Sequence, residues 1–594
     1  MADNYIKEKL LHRFSGGHEP HMIKARVKAE NTDANLKSYA RTYKAFSWAD
    51  AEKEFTWHKT GQINITYEAI DRWAKDPQKR DQEALIFERG EEVQAFRYRE
   101  LKELSCQWAH LFIKYGLKTG DRVFIFLPPS PEIYCAMLAC SRVGVIFCPL
   151  YSTLAYDELE VRIRDAKPRG IVTHPDLAER LPIDAMSPVE HVFFTEGPLP
   201  GLFPGEVLVS DLLNQAPKEM QPTWLTKDTP LYLIYTSGST GPPKGVVHAH
   251  GDMVGHLVTA QSVLDVRGDT ILWTDGDPAW VTGTVYGAFA PWLCGATSVV
   301  QGDPFSASTC YRTLERYKVS VWYTTPVTIK KLMEAGQDLP TRYDLSRLRH
   351  IATVGEALIP DLFYWVKKNL KHPPHDTWWM TECGMVCLAN FPSMDVKAGS
   401  LGKPVPGVEA AIIDEKGDPL PLLTMGELAL KVPWPSMMID IWRDKARYEA
   451  YFTLKPWFLT GDMAIMDEEG YYYHQGRTDD LIKAGEKLVG PYEIEHILYQ
   501  HPAVLEAAVI SKSEPPSTPH LKAFITIGKT VTPSNRLKQE IKAFVKANLS
   551  PDIPLKEIDF LDELPKTSSG NLLRRVLRAR ELGLPAGDPS HMKE

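Results

Sequence analysis

Cysteine is scarce and unpaired in this 594-residue chain: the eight cysteines, at 106, 135, 140, 148, 294, 310, 383 and 387, form no CxxC pair. Neither a disulfide framework nor a zinc site follows from such spacing. Cys383 and Cys387 come nearest to a pair, without a further Cys or His immediately around them to complete a tetrahedral set. Long apolar runs are also missing. The longest, residues 135–151, is broken by Ser141 and Arg142 and is too short to cross a bilayer. The opening residues carry Asp3, Lys7, Glu8 and Lys9 and lack the apolar core of a secretory signal, so a cytoplasmic protein without a membrane partner is expected. No basic block stands out, and the net charge is -8, which argues against nucleic acid as a partner. Repeats and low-complexity segments are absent. What is present is ordinary for a folded protein, 44% hydrophobic and 24% charged residues, in a length that one hydrophobic core does not organise. At least two domains are expected, and a homo-oligomer is left open.

Residues 1 to about 80 are polar and rich in aromatics (Trp48, Trp57, Trp73) and read as a wrap of short helices. From Tyr98 onward, helical patterns such as 130–143 alternate with short apolar strands at 122–127, 170–173, 231–235, 297–300 and 321–324. That alternation predicts an α/β fold with largely parallel sheets. After Lys403, glycine and proline punctuate strand signals at 408–413 and 426–431, which predicts a β-rich subdomain over about 403–478. A boundary follows at GRTDD, 476–480, with Asp479 as a hinge candidate. Beyond it a small α+β domain, 479–594, is expected, with strands at 507–510 and 523–527 and a helix over 535–548. The large N-terminal domain is thus 1–478, and the C-terminal one is expected to be mobile.

The most informative segment is YTSGSTGPPKG at 235–245. It follows an apolar strand and combines hydroxyls at Thr236, Ser237, Ser239 and Thr240 with glycines, Gly238 among them, and one lysine, Lys244. Glycines let backbone N–H groups turn toward an anion, hydroxyls donate further hydrogen bonds, and the lysine adds charge. Alone, such a run would as readily be a flexible surface turn. It does not fit the GxxxxGK[ST] phosphate loop.

The segment resembles the phosphate loop of the adenylate-forming superfamily, which includes acyl-CoA synthetases, luciferases and peptide-synthetase adenylation domains. In the family's order there follow VGEA at 354–357, DTWWMTE at 376–382, TGD at 460–462, GRTDD at 476–480 and LPKTSSG at 564–570. Within the superfamily the similarity is greatest to AMP-forming acetyl-CoA synthetases of the shorter Bacillus type. DPAWVTG at 277–283, the double tryptophan Trp378-Trp379 and FSWADAEKEF at 46–55 carry that likeness, which runs from about Asn35 to Asp588.

The resemblance implies a ligase acting in two steps, in which acetate and ATP give acetyl-AMP and pyrophosphate, and coenzyme A then displaces AMP. It implies nucleotide contacts from Thr236, Ser237, Gly238, Ser239, Thr240, Gly355, Glu356, Ala357, Asp376, Thr377, Trp378, Trp379, Met380 and Thr381, with adenine against the 355–357 turn and the 376–381 strand. Asp462 and Arg477 match the ribose pair. Thr381 would reach the α-phosphate, and Glu382 would hold Mg²⁺, a hard cation suited to carboxylate and phosphate oxygens. Lys244, Thr381 and Glu382 are the implied catalytic residues, with the position of Asn571. Val281, Thr282, Val354 and Trp379 match the acetate pocket, where an indole closes the space after one methyl group. Arg162, Arg164, Thr282, Gly485 and Lys546 match contacts to coenzyme A. Read singly, Asp462 and Arg477 would be a surface ion pair, Trp379 a core tryptophan and the arginines solvated helix faces.

Two positions depart from the family pattern. The family's last motif ends in a lysine that approaches the carboxylate and α-phosphate during adenylation; here Asn571 follows Gly570. Asparagine cannot neutralise developing phosphate charge. In AGEKLVG at 484–490 the family's phosphate-facing arginine is replaced by Leu488, with Lys487 one position early. Met380 also replaces the usual glutamine, as in some Bacillus-type relatives. Three readings follow: a working acetyl-CoA synthetase; the same enzyme run mainly in reverse, from acetyl-CoA, AMP and pyrophosphate; and a catalytically weak binder of nucleotide and coenzyme A.

Overall fold

A computed structural model of the chain describes residues 34–203, 205–236, 243–478, 482–484, 487–489, 491–512, 520–528, 531–548, 555–566 and 572–582. Its contacts divide the described residues into two units. The first takes those of Met1–Thr236, Lys244–Glu409 and Val432–Ala450; the second takes Pro243, Ala410–Lys431 and the described residues from Tyr451 on.

The first unit holds two sheets, each with a run of six neighbouring parallel strands. In one, Pro374–Trp378, His350–Thr353, Val321–Thr324, Ile271–Thr274, Thr297–Gln301 and Glu83–Arg89 lie side by side. In the other the parallel strands are Pro230–Thr236, Ile146–Leu150, Arg122–Phe126, Gly170–Thr173, His191–Phe194 and Glu206–Leu208. Strands covered on both faces read as continuous apolar runs, and Val123, Phe124, Ile125 and Phe126 are all buried. The α/β fold expected from the sequence is the one observed. Short helical turns from Tyr39–Ala45 to Arg72–Lys75 form the N-terminal wrap.

The helix Pro131–Val143 begins on a proline and stops at Gly144, whose φ of +74° only glycine adopts without strain. Arg142, which interrupts the longest apolar run, is fully buried because both Nη atoms donate to Asp71, at 2.6 and 2.9 Å. A charge inside a core needs such a partner.

In the second unit, Ala410–Ile413, Gly426–Lys431, Trp457–Met466 and Tyr472–Arg477 form an antiparallel sheet. Residues 432–450 leave that stretch and join the first unit, where Asp440–Ile441 pairs with Lys244–Ala249. The last part carries a three-stranded sheet of Val504–Lys512, His520–Ile527 and Leu555–Phe560, with the helices Pro491–Tyr499, Asn535–Asn548 and Arg574–Leu582. Its core includes Ile494, Leu498, Val509, Leu521, Ile525, Ile541 and Val545. Among the described residues no helix is long and apolar enough to cross a membrane.

Candidate active site

In open parallel sheets, ligands meet the residues that follow the carboxyl ends of the strands. Four neighbouring strands of the nine-stranded sheet end at Thr274, Thr324, Thr353 and Trp378. The residues that follow them are Asp275, Thr325, Val354-Gly355 and Trp379, so motifs up to about 100 residues apart in sequence share one sheet edge.

The phosphate loop is the connection of a hairpin. Pro230–Thr236 pairs antiparallel with Lys244–Ala249, with Thr236 opposite Lys244. The Lys244 ammonium is ion-paired with the Glu382 carboxylate, and both side chains are largely buried. The Thr236 hydroxyl is buried without a hydrogen-bond partner among the described residues, as is that of Thr282. A buried hydroxyl left unsatisfied costs free energy that a ligand's oxygens can recover. Ser237, Gly238, Ser239 and Thr240 lie outside the described residues.

Thr381 does not continue the strand that the resemblance implies over 376–381. The strand ends at Trp378, and Thr381 and Glu382 both sit on the tight turn Thr381–Cys383, closed by Gly384 at φ +67°. A side chain on Gly384 would lie 2.0 Å from the Ser436 carbonyl oxygen. Beneath the turn, His248 is buried between two acceptors, with Nδ1 2.6 Å from Asp252 Oδ2 and Nε2 2.7 Å from the Thr381 carbonyl. The carbonyl can only accept, so Nε2 carries a hydrogen, and one more proton lies between Nδ1 and the carboxyl. Burial pushes the Asp252 carboxyl above its usual range, against the opposing pull of His248.

The residues expected to line an acid pocket lie on neighbouring elements of the first unit. Val281 and Thr282 open the short helix Val281–Thr284, which runs on into the turn Val285–Phe289. Trp379, half-buried, packs edge-on against Tyr286 of that turn, ring centroids 5.2 Å apart, and its Nε1 donates to Tyr323 Oη at 3.2 Å. Tyr323 Oη is in turn 2.7 Å from Thr377 Oγ1, which donates to the Thr353 carbonyl at 2.7 Å. The indole is therefore fixed on two sides. Val354 is buried at the end of its strand.

Gly355 and Glu356 are exposed and Ala357 is half-buried. Gly355 has φ +101° and faces Trp280, whose ring would lie 3.3 Å from a Cβ placed there. Asp376 is buried, accepting from Thr353 Oγ1 at 2.7 Å and from the Leu358 N–H at 3.1 Å. Burial outweighs these donors and pushes its carboxyl up to about 7. Asp275 and Asp277 are half-buried, and desolvation pushes their carboxyls up to about 6. Trp378 is buried and Met380 half-buried.

In the second unit, Asp462 and Arg477 are cross-strand partners, with Arg477 Nη1 donating to Asp462 Oδ1 at 2.7 Å. The coenzyme A candidates are not alike. Arg162 is buried, with Nη1 donating to the Glu158 carbonyl at 2.6 Å and its guanidinium over the Tyr235 ring. Arg164 is exposed and bonded to Glu160, and Lys546 is exposed on the helix Asn535–Asn548. Lys566 donates to Glu506 at 2.6 Å. Gly485, Asp479 and Asn571 lie outside the described residues, and of Lys487 only its strand, Lys487–Val489, is described.

Sequence reasoning assigned no role to His248, Asp252, Asp275, Trp280, Tyr286 or Tyr323. The one signal for the first two is their spacing of four residues just after Lys244.

Among the described residues no cluster of three His, Cys, Asp or Glu could hold a metal. Glu382 stands as a single buried carboxylate. That fits Mg²⁺, which keeps several waters and is commonly bound by one or two carboxylates together with substrate phosphates.

Comparison with known proteins identifies the family. The AMP-binding enzyme family matches residues 70–439, and the AMP-binding enzyme C-terminal domain matches residues 493–571. The chain is 45% identical to an acetyl-coenzyme A synthetase of Bacillus subtilis over 95% of its own length and 98% of that protein. It is 35% identical to an acetyl-coenzyme A synthetase of Methanothrix thermoacetophila, covering 90% of this chain and 85% of that one. Among solved structures, an anthranilate CoA ligase in complex with anthranoyl-AMP is similar at TM-score 0.78 and 26% identity, covering 87% of this chain and 97% of that one. A benzoate CoA ligase from Burkholderia xenovorans is similar at TM-score 0.76 and 25% identity, covering 87% and 100%. The chain belongs to the AMP-binding enzyme family, and within it is related over nearly its full length to acetyl-coenzyme A synthetases.

Proposed function

We propose that this protein is an acetate–CoA ligase. In the first step an acetate oxygen bonds to the α-phosphorus of ATP, the bond to the bridging oxygen breaks, and pyrophosphate leaves. In the second, the sulfur of coenzyme A bonds to the acetyl carbon, and the bond to the AMP oxygen breaks. The observation that carries the choice of acid is Trp379, anchored by Tyr286 and Tyr323 at the strand end beside Val354. In this reading the indole closes the pocket after one methyl group.

Lys244 and the hydroxyls of the phosphate loop hold the β- and γ-phosphates, and Thr381 reaches the α-phosphate. The exposed turn at 355–357 and the buried Asp376 frame the adenine, and Asp462 with Arg477 holds the ribose. When bound beside Glu382, Mg²⁺ would neutralise phosphate charge. Lys244 then exchanges its carboxylate partner for phosphate, so the charge of Glu382 is compensated before and after the nucleotide binds. Of the coenzyme A candidates, Arg164 and Lys546 are the accessible ones; the exposed pair of Arg164 with Glu160 is weak enough to exchange partners. Asn571 in place of the adenylation lysine makes the first step the slow one. Asp479 is the hinge about which the C-terminal residues exchange between the two steps. A consumer of ATP and coenzyme A is placed in the cytoplasm.

Acetate-dependent release of AMP and pyrophosphate, with acetyl-CoA formed only when coenzyme A is added, is the expected result. Propionate should serve less well, since one methylene is worth roughly 1–3 kcal/mol in such a pocket. No acetate-dependent pyrophosphate exchange at any Mg²⁺ concentration would refute the reading.

A further inference from the structure

Four consecutive backbone carbonyls in the turn that bears Thr381 and Glu382 each accept a hydrogen bond from elsewhere in the first unit. His248 Nε2 donates to Thr381 at 2.7 Å, the Met438 N–H to Glu382 at 3.0 Å, Trp434 Nε1 to Cys383 at 2.8 Å and His256 Nε2 to Gly384 at 3.0 Å. The donors come from three places: the strand Lys244–Ala249, the helix Met253–Ser262 and the 432–450 segment. Those three are themselves tied, since Ser436 Oγ donates to the Asp252 carbonyl at 2.8 Å. Two glycines make the approach possible. A Cβ on Gly255 would lie 2.1 Å from Ser436 Oγ and 2.5 Å from Met385 Sδ, and one on Gly384 would lie 2.7 Å from His248 Cε1. The imidazole of His248 also lies flat on the Tyr232 ring, centroids 4.8 Å apart.

We propose that this cage is a positioning device for the Thr381–Glu382 turn, with His248 as its principal tie and Asp252 fixing the orientation of the imidazole. The strand that leaves the phosphate loop thereby grips the turn twice, through the Lys244–Glu382 ion pair and, four residues on, through the His248 bond to the Thr381 backbone. Phosphate loop and turn are held in one register, so nucleotide meets Lys244, Thr381 and Glu382 already in place. The inference rests on the reading that Thr381 and Glu382 meet phosphate and Mg²⁺. Burial of four carbonyls alone would demand donors but not donors of any particular kind. What separates the two explanations is whether restoring a donor at the position of Nε2 restores function.

His248→Leu removes the donor, and His248→Gln places an amide N–H near the position of Nε2. The full chain is used, and acetate-dependent pyrophosphate exchange is read together with Mg²⁺-dependent ATP affinity by calorimetry. His248→Leu should lower the exchange rate constant about 10²-fold, a cost of the size that misplacing reacting groups by an ångström brings, and change the KM for acetate less than about 3-fold. It should weaken Mg²⁺-dependent ATP binding about 10-fold, and His248→Gln should recover most of both losses. Trp434→Phe, which keeps the ring and removes one donor, should lower exchange about 3- to 10-fold and decides the matter if His248→Leu does not fold. Equal impairment of the Leu and Gln variants, no impairment of either, or an unaltered Trp434→Phe would each overturn the cage. If the unaltered protein shows no exchange, the functional reading fails, and the calorimetric comparison still decides the cage.

Discussion

The part of the first unit around Lys244 and Glu382 and the C-terminal part of the second differ in what their charged groups are committed to. In the first, Lys244 and Glu382 face each other on the residues that the family pattern assigns to phosphate and metal, and both are retained. In the second, three of the described lysines are paired with carboxylates of the same unit. Lys522 lies 2.7 Å from both Asp559 and Glu581, Lys512 lies 2.7 Å from Glu581, and Lys566 lies 2.6 Å from Glu506. At the two positions where the family carries a basic residue toward phosphate, this chain has Leu488 and Asn571. On the proposed reading, binding and charge delivery are separable. A site can keep every group that shapes and orients its substrates while lacking one that lowers the charge barrier of the first chemical step.

The comparison can be broken most sharply at its intact side. Glu382→Gln should lower acetate-dependent pyrophosphate exchange by about 10²- to 10³-fold, because one preorganised electrostatic group is lost from a buried site. Exchange that stays within a few-fold of the unaltered protein would remove Glu382 from the chemistry. On the other side, Asn571→Lys should raise adenylation by about 10²-fold and leave conversion of supplied acetyl-AMP nearly unchanged. If that variant gains nothing, Lys487 or Lys566 supplies the charge, the latter only by leaving Glu506.

Trp379→Gly is next in size. It should improve butyrate relative to acetate by about 10- to 10²-fold, measured as the ratio of kcat/KM values. A retained acetate preference would mean that the indole is not the pocket wall. The last expectation concerns stability alone. With its carboxyl pushed up to about 7, Asp376 keeps a proton in the folded state that the unfolded chain releases near pH 4. Stability therefore falls as pH rises from about 4 to about 7 and is level above that. Asp376→Asn has no such slope, so its unfolding free energy relative to the unaltered protein should climb across that window, by an amount on the order of a few kcal/mol. A difference that is flat with pH would contradict the assignment.

Much of the fold was legible because apolar runs lie between turn signals: the strands expected at 122–127, 170–173 and 321–324 are Arg122–Phe126, Gly170–Thr173 and Val321–Thr324. His350–Thr353 and Pro374–Trp378 announce themselves less, since His350, His375 and Asp376 interrupt the apolar pattern. They are buried by partners that the local sequence does not contain: the two imidazoles pack at 4.6 Å, and Thr353 donates to Asp376. The glycine- and hydroxyl-rich connection after Thr236 stands out by composition, whereas Val281, Thr282, Val354 and Trp379 are singled out only through the resemblance. The carbonyl cage was not legible, because its donors lie up to 133 residues from the turn and a histidine in an apolar strand reads as core. The resemblance carries the strand on to Thr381, and in the local sequence only Gly384 marks the reversal.

The most direct test of the contrast uses the unaltered protein and two rates. Acetyl-AMP formation from acetate and ATP, and acetyl-CoA formation from supplied acetyl-AMP and coenzyme A, are measured in single turnovers under the same conditions. The account predicts that the first is slower than the second by about 10-fold or more, so that adenylation limits the overall reaction. A first step as fast as the second would contradict it.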